Sequence, residues 1–195
     1  MEQNQIQYGQ YCLDLEREFF EDDKEKTKFV KKCVQLCRYT PEYREWVDYL
    51  RDSLGYKTCD ISGENGDEVT VEIHHHPITI FDIGMIIVDT YLKKRRKFSS
   101  LNIVNDMLML HYNDKVGFIP ICTTFHEKYH NGFLIIPPKF IHGQWDYILT
   151  NGYEVSQDVL DRAARLMDPV NNQFIGKSWK NVNPDGTSTI IANCA

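Results

Sequence analysis

A chain of 195 residues with 42% hydrophobic, 12% aromatic and 26% charged side chains can bury a sizeable core, which excludes an intrinsically disordered protein. Its 22 basic and 28 acidic residues leave a formal charge of −6, a balance that argues against holding nucleic acid by bulk charge. The opening MEQNQIQYGQY has no basic or apolar region of the secretory kind, and the most apolar window, Pro77 to Val88, is too short to span a bilayer. A cytoplasmic protein with no membrane partner is therefore expected.

In chain order, residues 14 to 37 have helical spacing, with Leu15, Phe19, Phe20, Phe29, Val30, Val34 and Cys37 at apolar positions. Thr40-Pro41-Glu42 begins a second helix, Thr as cap and Pro at its first position, and Gly55 closes it. Turn formers from Ser62 to Asp67, followed by the strand-like Val69 to Ile73, suggest a hairpin. Helices are expected at Ile80 to Lys94 and Ser100 to Tyr112, and a strand at Val116 to Ile121. A helical turn at His126 to Tyr129 ends at Asn131-Gly132, and Phe133 to Ile136 could form one more strand. The tail holds a segment from Ile141 to Thr150, a helix near Ser156 to Met167 and a loop-rich end, with Trp145 and Tyr147 expected in the core.

The six cysteines read as reduced thiols, and Cys33 and Cys37, four apart on a helical pattern, as small buried residues. Five of the seven histidines form two clusters, His74-His75-His76 and His126 with His130. The latter pair, four apart, shares one helix face, and a third imidazole from a nearby strand would complete a three-ligand metal site. Taken alone, the spaced pair reads as a solvated helix face and the triple as a chance cluster. His111 and His142 have no such setting.

The flanks of these clusters carry more. Val71-Glu72-Ile73-His74-His75 resembles the strand end of the HNH (His-Me finger, ββα-metal) nucleases. Phe118 to Gly132, with Cys122, His126, His130 and Gly132, resembles their closing metal-binding helix. The resemblance covers residues 58 to 136, about 40% of the chain. It implies an α+β protein: a His-Me finger core of β-hairpin and metal-binding helix, embedded in additional helices at the N-terminus, in the middle and at the C-terminus. The expected division is residues 1–57, 58–136 with a two-helix insertion, and 137–195.

Carried over by position, the resemblance makes His75 the general base that activates a water and Glu72 the supporting carboxylate. His74, His126 and His130 would hold one divalent ion, Mg²⁺, Mn²⁺, Ni²⁺ or Zn²⁺. The other register, His75 as ligand and His76 as base, stays open. Adjacent strand residues point to opposite faces, so the pair is expected where the strand breaks, before Pro77.

Three departures stand out. Gly117 occupies the position of the family's central Asn, with Asn113 the nearest substitute. Cys59 and Cys122 are single survivors of two CxxC pairs, so no structural zinc is expected and the two should be close neighbours. Finally, fifty residues separate His75 from His126, and they include the run Lys93-Lys94-Arg95-Arg96-Lys97. That run is either a solvated helix end or a phosphate-contacting edge beside the cleft. Trp179 between Lys177 and Lys180 could stack on nucleic acid or pack on the domain.

The function expected is a metal-dependent endonuclease acting on nucleic acid, DNA before RNA, from a phage or mobile element. The alternatives are a non-catalytic His-Me finger module for nucleic-acid binding or protein interaction, and a metal-binding hydrolase of another kind.

Overall fold

The computed structural model describes residue 20, residues 22–167 and the backbone of 180–182 and 188–190. Within them lie seven α-helices and two two-stranded antiparallel sheets, a mixed α+β architecture as expected.

Helix α1 (Asp23–Tyr39) starts on Asp22, whose carboxylate accepts from Glu25 N, and buries Val30, Cys33 and Cys37. Of the helical stretch expected over 14 to 37, residues 14 to 19 and 21 lie outside the described residues, and Phe20 stands outside the helix, which starts only after its Asp22 cap. Helix α2 (Pro41–Asp48) begins as the sequence indicates: Thr40 Oγ1 accepts from Tyr43 N, and Pro41 stands where an N–H is not needed. A π-helical turn, Tyr49–Ser53, prolongs it toward Gly55.

Strand β1 (Val71–His75) is followed by α3 (Ile80–Lys93) and α4 (Ser100–Tyr112), each opened by a reciprocal cap: Thr79 with Asp82, and Ser99 with Asn102. Strand β2 (Phe118–Cys122) runs directly into α5 (Thr123–His130). A short α6 (Tyr147–Thr150) and α7 (Gln157–Met167) follow. Strands β3 (Lys180–Val182) and β4 (Ser188–Ile190) pair with each other, in the tail expected to be loop-rich.

The hairpin expectation fails in its local form. β1 pairs with β2, in the register Val71↔Cys122 to His75↔Phe118, not with the chain just before it. The upstream segment closes largely on itself, with Cys59 N donating to Glu64 O, Gly63 N to Cys59 O and one isolated bridge, Thr58↔Asn65, and it reaches the sheet through Asp60 N, which donates to Pro120 O of β2 at 3.0 Å. Every residue of β2 is buried, so it is the strand able to cover β1. Phe133 to Ile136 is not a strand either. Leu134 and Ile136 pack as buried anchors, while β2 on its free edge exchanges two backbone bonds with His142.

Two apolar clusters result. The larger joins α1, α2, α3 and α4 with Phe118, Ile148 and Val159, so it draws on all three stretches into which the sequence was divided. Gly84 lets α1 approach α3: a Cβ there would stand 2.9 Å from Val30 Cγ1. The smaller cluster gathers Cys59, Ile61, Val71, Ile119, Ile121, Cys122 and Phe125 around the sheet. Cys59 and Cys122 are neighbours in this cluster, as expected. Cys33 and Cys37 are free and fully buried, and burial pushes both thiols up to about 12. Trp145 and Tyr147 are half-buried at the core margin rather than inside it. Among the described residues no helix is long and apolar enough to cross a membrane.

Candidate metal centre

Three imidazoles converge where the sheet meets the helix after it. His74 comes from β1, and His126 and His130 come from one face of α5; their donor atoms lie within 4.8 Å of one another. The i, i+4 spacing delivers the second and third by helix geometry alone. The His74 and His126 ring centroids are 4.5 Å apart, and those of His74 and His130 5.2 Å.

Glu72 sits two residues before His74 and bonds His126 Nδ1 at 2.5 Å. A carboxylate only accepts, so Nδ1 of His126 carries the hydrogen, which leaves Nε2 as the nitrogen able to face a cation. That Nε2 faces His130 Nε2 at 2.8 Å. His74 Nε2 is sealed from solvent and has no partner among the described residues. Burial, followed by the neighbouring His126, pushes the His74 pKa down to about 3, and His130 shifts the same way. Both shifts favour the neutral form of His74 and His130, the form that ligates a cation. An orphaned buried nitrogen and a carboxylate-oriented imidazole fit a divalent metal.

The strand does not break between His74 and His75. Both belong to β1, opposite Ile119 and Phe118, and they leave it on opposite sides. His75 is 5% exposed and packs with its ring 5.9 Å from Trp46 and 5.0 Å from His111, whose Nε2 lies 2.8 Å from His75 Nε2. His76 returns to the side of His74 and bonds the Tyr129 hydroxyl at 3.1 Å. The three-donor group thus contains His74 and neither His75 nor His76.

His75 nevertheless lines the same cleft as Glu72, His74, His126 and His130, a cavity of about 740 Å³. Its cations are Lys31 and Arg38, two turns apart on α1, and Arg51, which donates to Val71 O at 2.6 Å. None of Lys93, Lys94, Arg95, Arg96 and Lys97 lines it. The run ends α3 at Lys93 and turns through Arg95 at φ +50, while the cleft touches Thr79 to Phe81 at the other end of that helix, about 20 Å away. There Lys93 pairs with Glu154 at 2.5 Å, and Lys94 and Arg96 border a separate cavity of about 190 Å³. Residues 177 to 179 lie outside the described residues.

No residue larger than glycine fits at 117. A Cβ would stand 2.2 Å from His76 O and 2.4 Å from Trp145 Cβ. Asn113 does not substitute, since it is exposed and bonds back to Met109 O. His111 is the residue that sequence reasoning missed. As a single histidine in an apolar helix it carries no local signal of its contact with β1.

Fold and site together define an α+β protein with a carboxylate-supported three-histidine centre at a strand–helix junction. The chain matches the Bacteriophage G278-like virion protein family over residues 2–174 and belongs to that family. No curated protein and no solved structure matches it. The association with phage, expected from sequence, is met by this membership.

Proposed function

We propose that this virion-family protein is a metal-dependent endonuclease of the HNH type, its His-Me finger formed by β1, β2 and α5, hydrolysing phosphodiester bonds in nucleic acid, DNA before RNA. The observation that carries the reading is the gathering of the His74, His126 and His130 donor atoms within 4.8 Å, with Glu72 bonded to His126. A divalent ion held there, Mg²⁺, Mn²⁺, Ni²⁺ or Zn²⁺, would supply positive charge to the scissile phosphate and its leaving oxygen. His75 lines the same cleft and takes a proton from a water whose oxygen bonds to phosphorus. The opposite P–O bond breaks, and its oxygen leaves with the electron pair and is protonated by solvent. Lys31, Arg38 and Arg51 give the cleft a local positive wall for flanking phosphates despite the net charge of −6.

One observation favours a second reading, a non-catalytic metal-stapled module: His75 is 5% exposed, a burial that restricts water at the base. Purified protein incubated with plasmid, single-stranded DNA and RNA under each divalent ion, with and without chelator, separates the two. Cleavage by the wild type that is lost in His75→Ala and His126→Ala supports the nuclease. No cleavage of any substrate with any ion overturns it in favour of the module.

A further inference from the structure

His75 is held by a chain of contacts that begins in the inserted helix α4. His111 Nδ1 lies 2.6 Å from the carbonyl oxygen of Met107, and His111 Nε2 lies 2.8 Å from His75 Nε2. A carbonyl oxygen can only accept, so the hydrogen in the first contact belongs to His111 Nδ1. A neutral imidazole has a single N–H, which leaves the lone pair on His111 Nε2. The second contact then needs its hydrogen on His75 Nε2, and the lone pair of His75 falls on Nδ1.

A doubly protonated His111 would reverse that polarity, but the residue is 1% exposed, edge-on to Trp46 at 4.7 Å and to Tyr43 at 5.4 Å. No described carboxylate bonds either ring, and an unpaired charge there carries a large desolvation cost. Tyr43 and Trp46 also stack on His75, at 6.4 and 5.9 Å, and hold its ring plane.

We propose that His111 is the positioning residue of His75: the chain Met107 O, His111, His75 locks His75 in the tautomer whose Nδ1 alone can accept a proton. In the resembling nucleases an Asn stands at the position of Gly117. Here that position has no room for a side chain, and the side chain that bonds His75 comes from α4. The lock rests on the endonuclease reading only for what Nδ1 then does, which is to take the proton of the attacking water. The tautomer itself is a property of the resting protein.

Long-range ¹H–¹⁵N correlation spectra of the histidine rings, taken on the full chain at pH 7.5 in EDTA, read the tautomers directly. The expected result is His75 as the Nε2–H form and His111 as the Nδ1–H form. His75 in the Nδ1–H form, or His111 in the Nε2–H form, overturns the proposal without need of any variant. His111→Phe removes the acceptor and should convert His75 into a mixture of tautomers. His111→Gln, whose side-chain carbonyl can accept, should keep the single form. An unchanged single His75 tautomer in His111→Phe, with wild-type circular dichroism, overturns the lock.

Where the wild type cuts nucleic acid, His111→Phe should lower kcat at least about tenfold, with metal affinity within about twofold, and His111→Gln should recover most of it. Wild-type kcat in His111→Phe counts against the lock. Absence of cleavage by the wild type, with the tautomers as expected, refutes the nuclease and leaves the lock standing.

Discussion

Glu72 Oε2 and His126 Nδ1, fifty-four residues apart in the chain, meet at 2.5 Å across the junction of β1 and α5. The contact sets the tautomer of His126 and aims its other nitrogen toward His130 and His74. It ties the strand half of the centre to the helix half before any cation arrives.

Removing that carboxylate should weaken the site without destroying it. Glu72→Gln is expected to lose about 10- to 100-fold in affinity for Zn²⁺ or Mn²⁺, because a neutral amide oxygen holds and polarises His126 less strongly than the carboxylate. His74→Ala, His126→Ala and His130→Ala should each lose more. Isothermal titration of the chelator-stripped protein gives the ranking, and Glu72→Gln binding as tightly as the wild type would remove Glu72 from the centre.

Placing at 117 the asparagine that the HNH resemblance would put there should harm this protein. Gly117→Asn places a Cβ 2.2 Å from His76 O, and relief requires moving backbone beside the histidine strand. A loss of about 3 kcal/mol or more is expected, at the upper end for overpacked cores. Urea unfolding measures it, and a change below about 1 kcal/mol would show that the loop yields cheaply.

The buried imidazoles make stability depend on pH in one direction. Burial pushes His111 down to about 4 and holds His75 well below the ordinary range near 6.5. Above pH 6.5 both the folded and unfolded forms are neutral and the full stability is present. As the pH falls below 6.5 the unfolded chain takes up protons that the native state refuses, so stability is lost toward pH 4. His111 alone should contribute a loss of about 3 kcal/mol between pH 7 and 4. In EDTA the urea midpoint should drop over that window, and the drop should be shallower in His111→Phe. Equal slopes in the two proteins would contradict the assignment.

The positive wall of the cleft, rather than the basic run, should govern nucleic-acid binding. Lys31→Ala with Arg38→Ala is expected to weaken binding to a short duplex and to lower the slope of log K against log salt by about one for each phosphate contact removed. Neutralising Lys94 and Arg96, which border the other cavity, should change affinity less than about twofold. The opposite ranking would move the binding surface to the far end of α3.

Much of the molecule was legible residue by residue. The Thr40-Pro41 cap, the limits of α4 and the pairing of His126 with His130 on one helix face follow from contacts within one or two turns, where spacing dictates geometry. The resemblance of the Glu72 and His126 flanks also put Cys59 beside Cys122 before any fold was known. The partner of β1 was not legible locally, because the turn formers around Gly63 close on themselves and the covering strand lies beyond two helices.

The sequence alone thus determined the helices, the donor types and a charge of −6 that bears on bulk binding. Tertiary structure decided which charges face the histidines and which imidazole stands behind His75. Lys31 and Arg38 reach the cleft because α1 packs on α3 through Gly84, and His111 reaches His75 because α4 closes over the same core. Such contacts depend on how helices cross, and no spacing along the chain encodes a crossing.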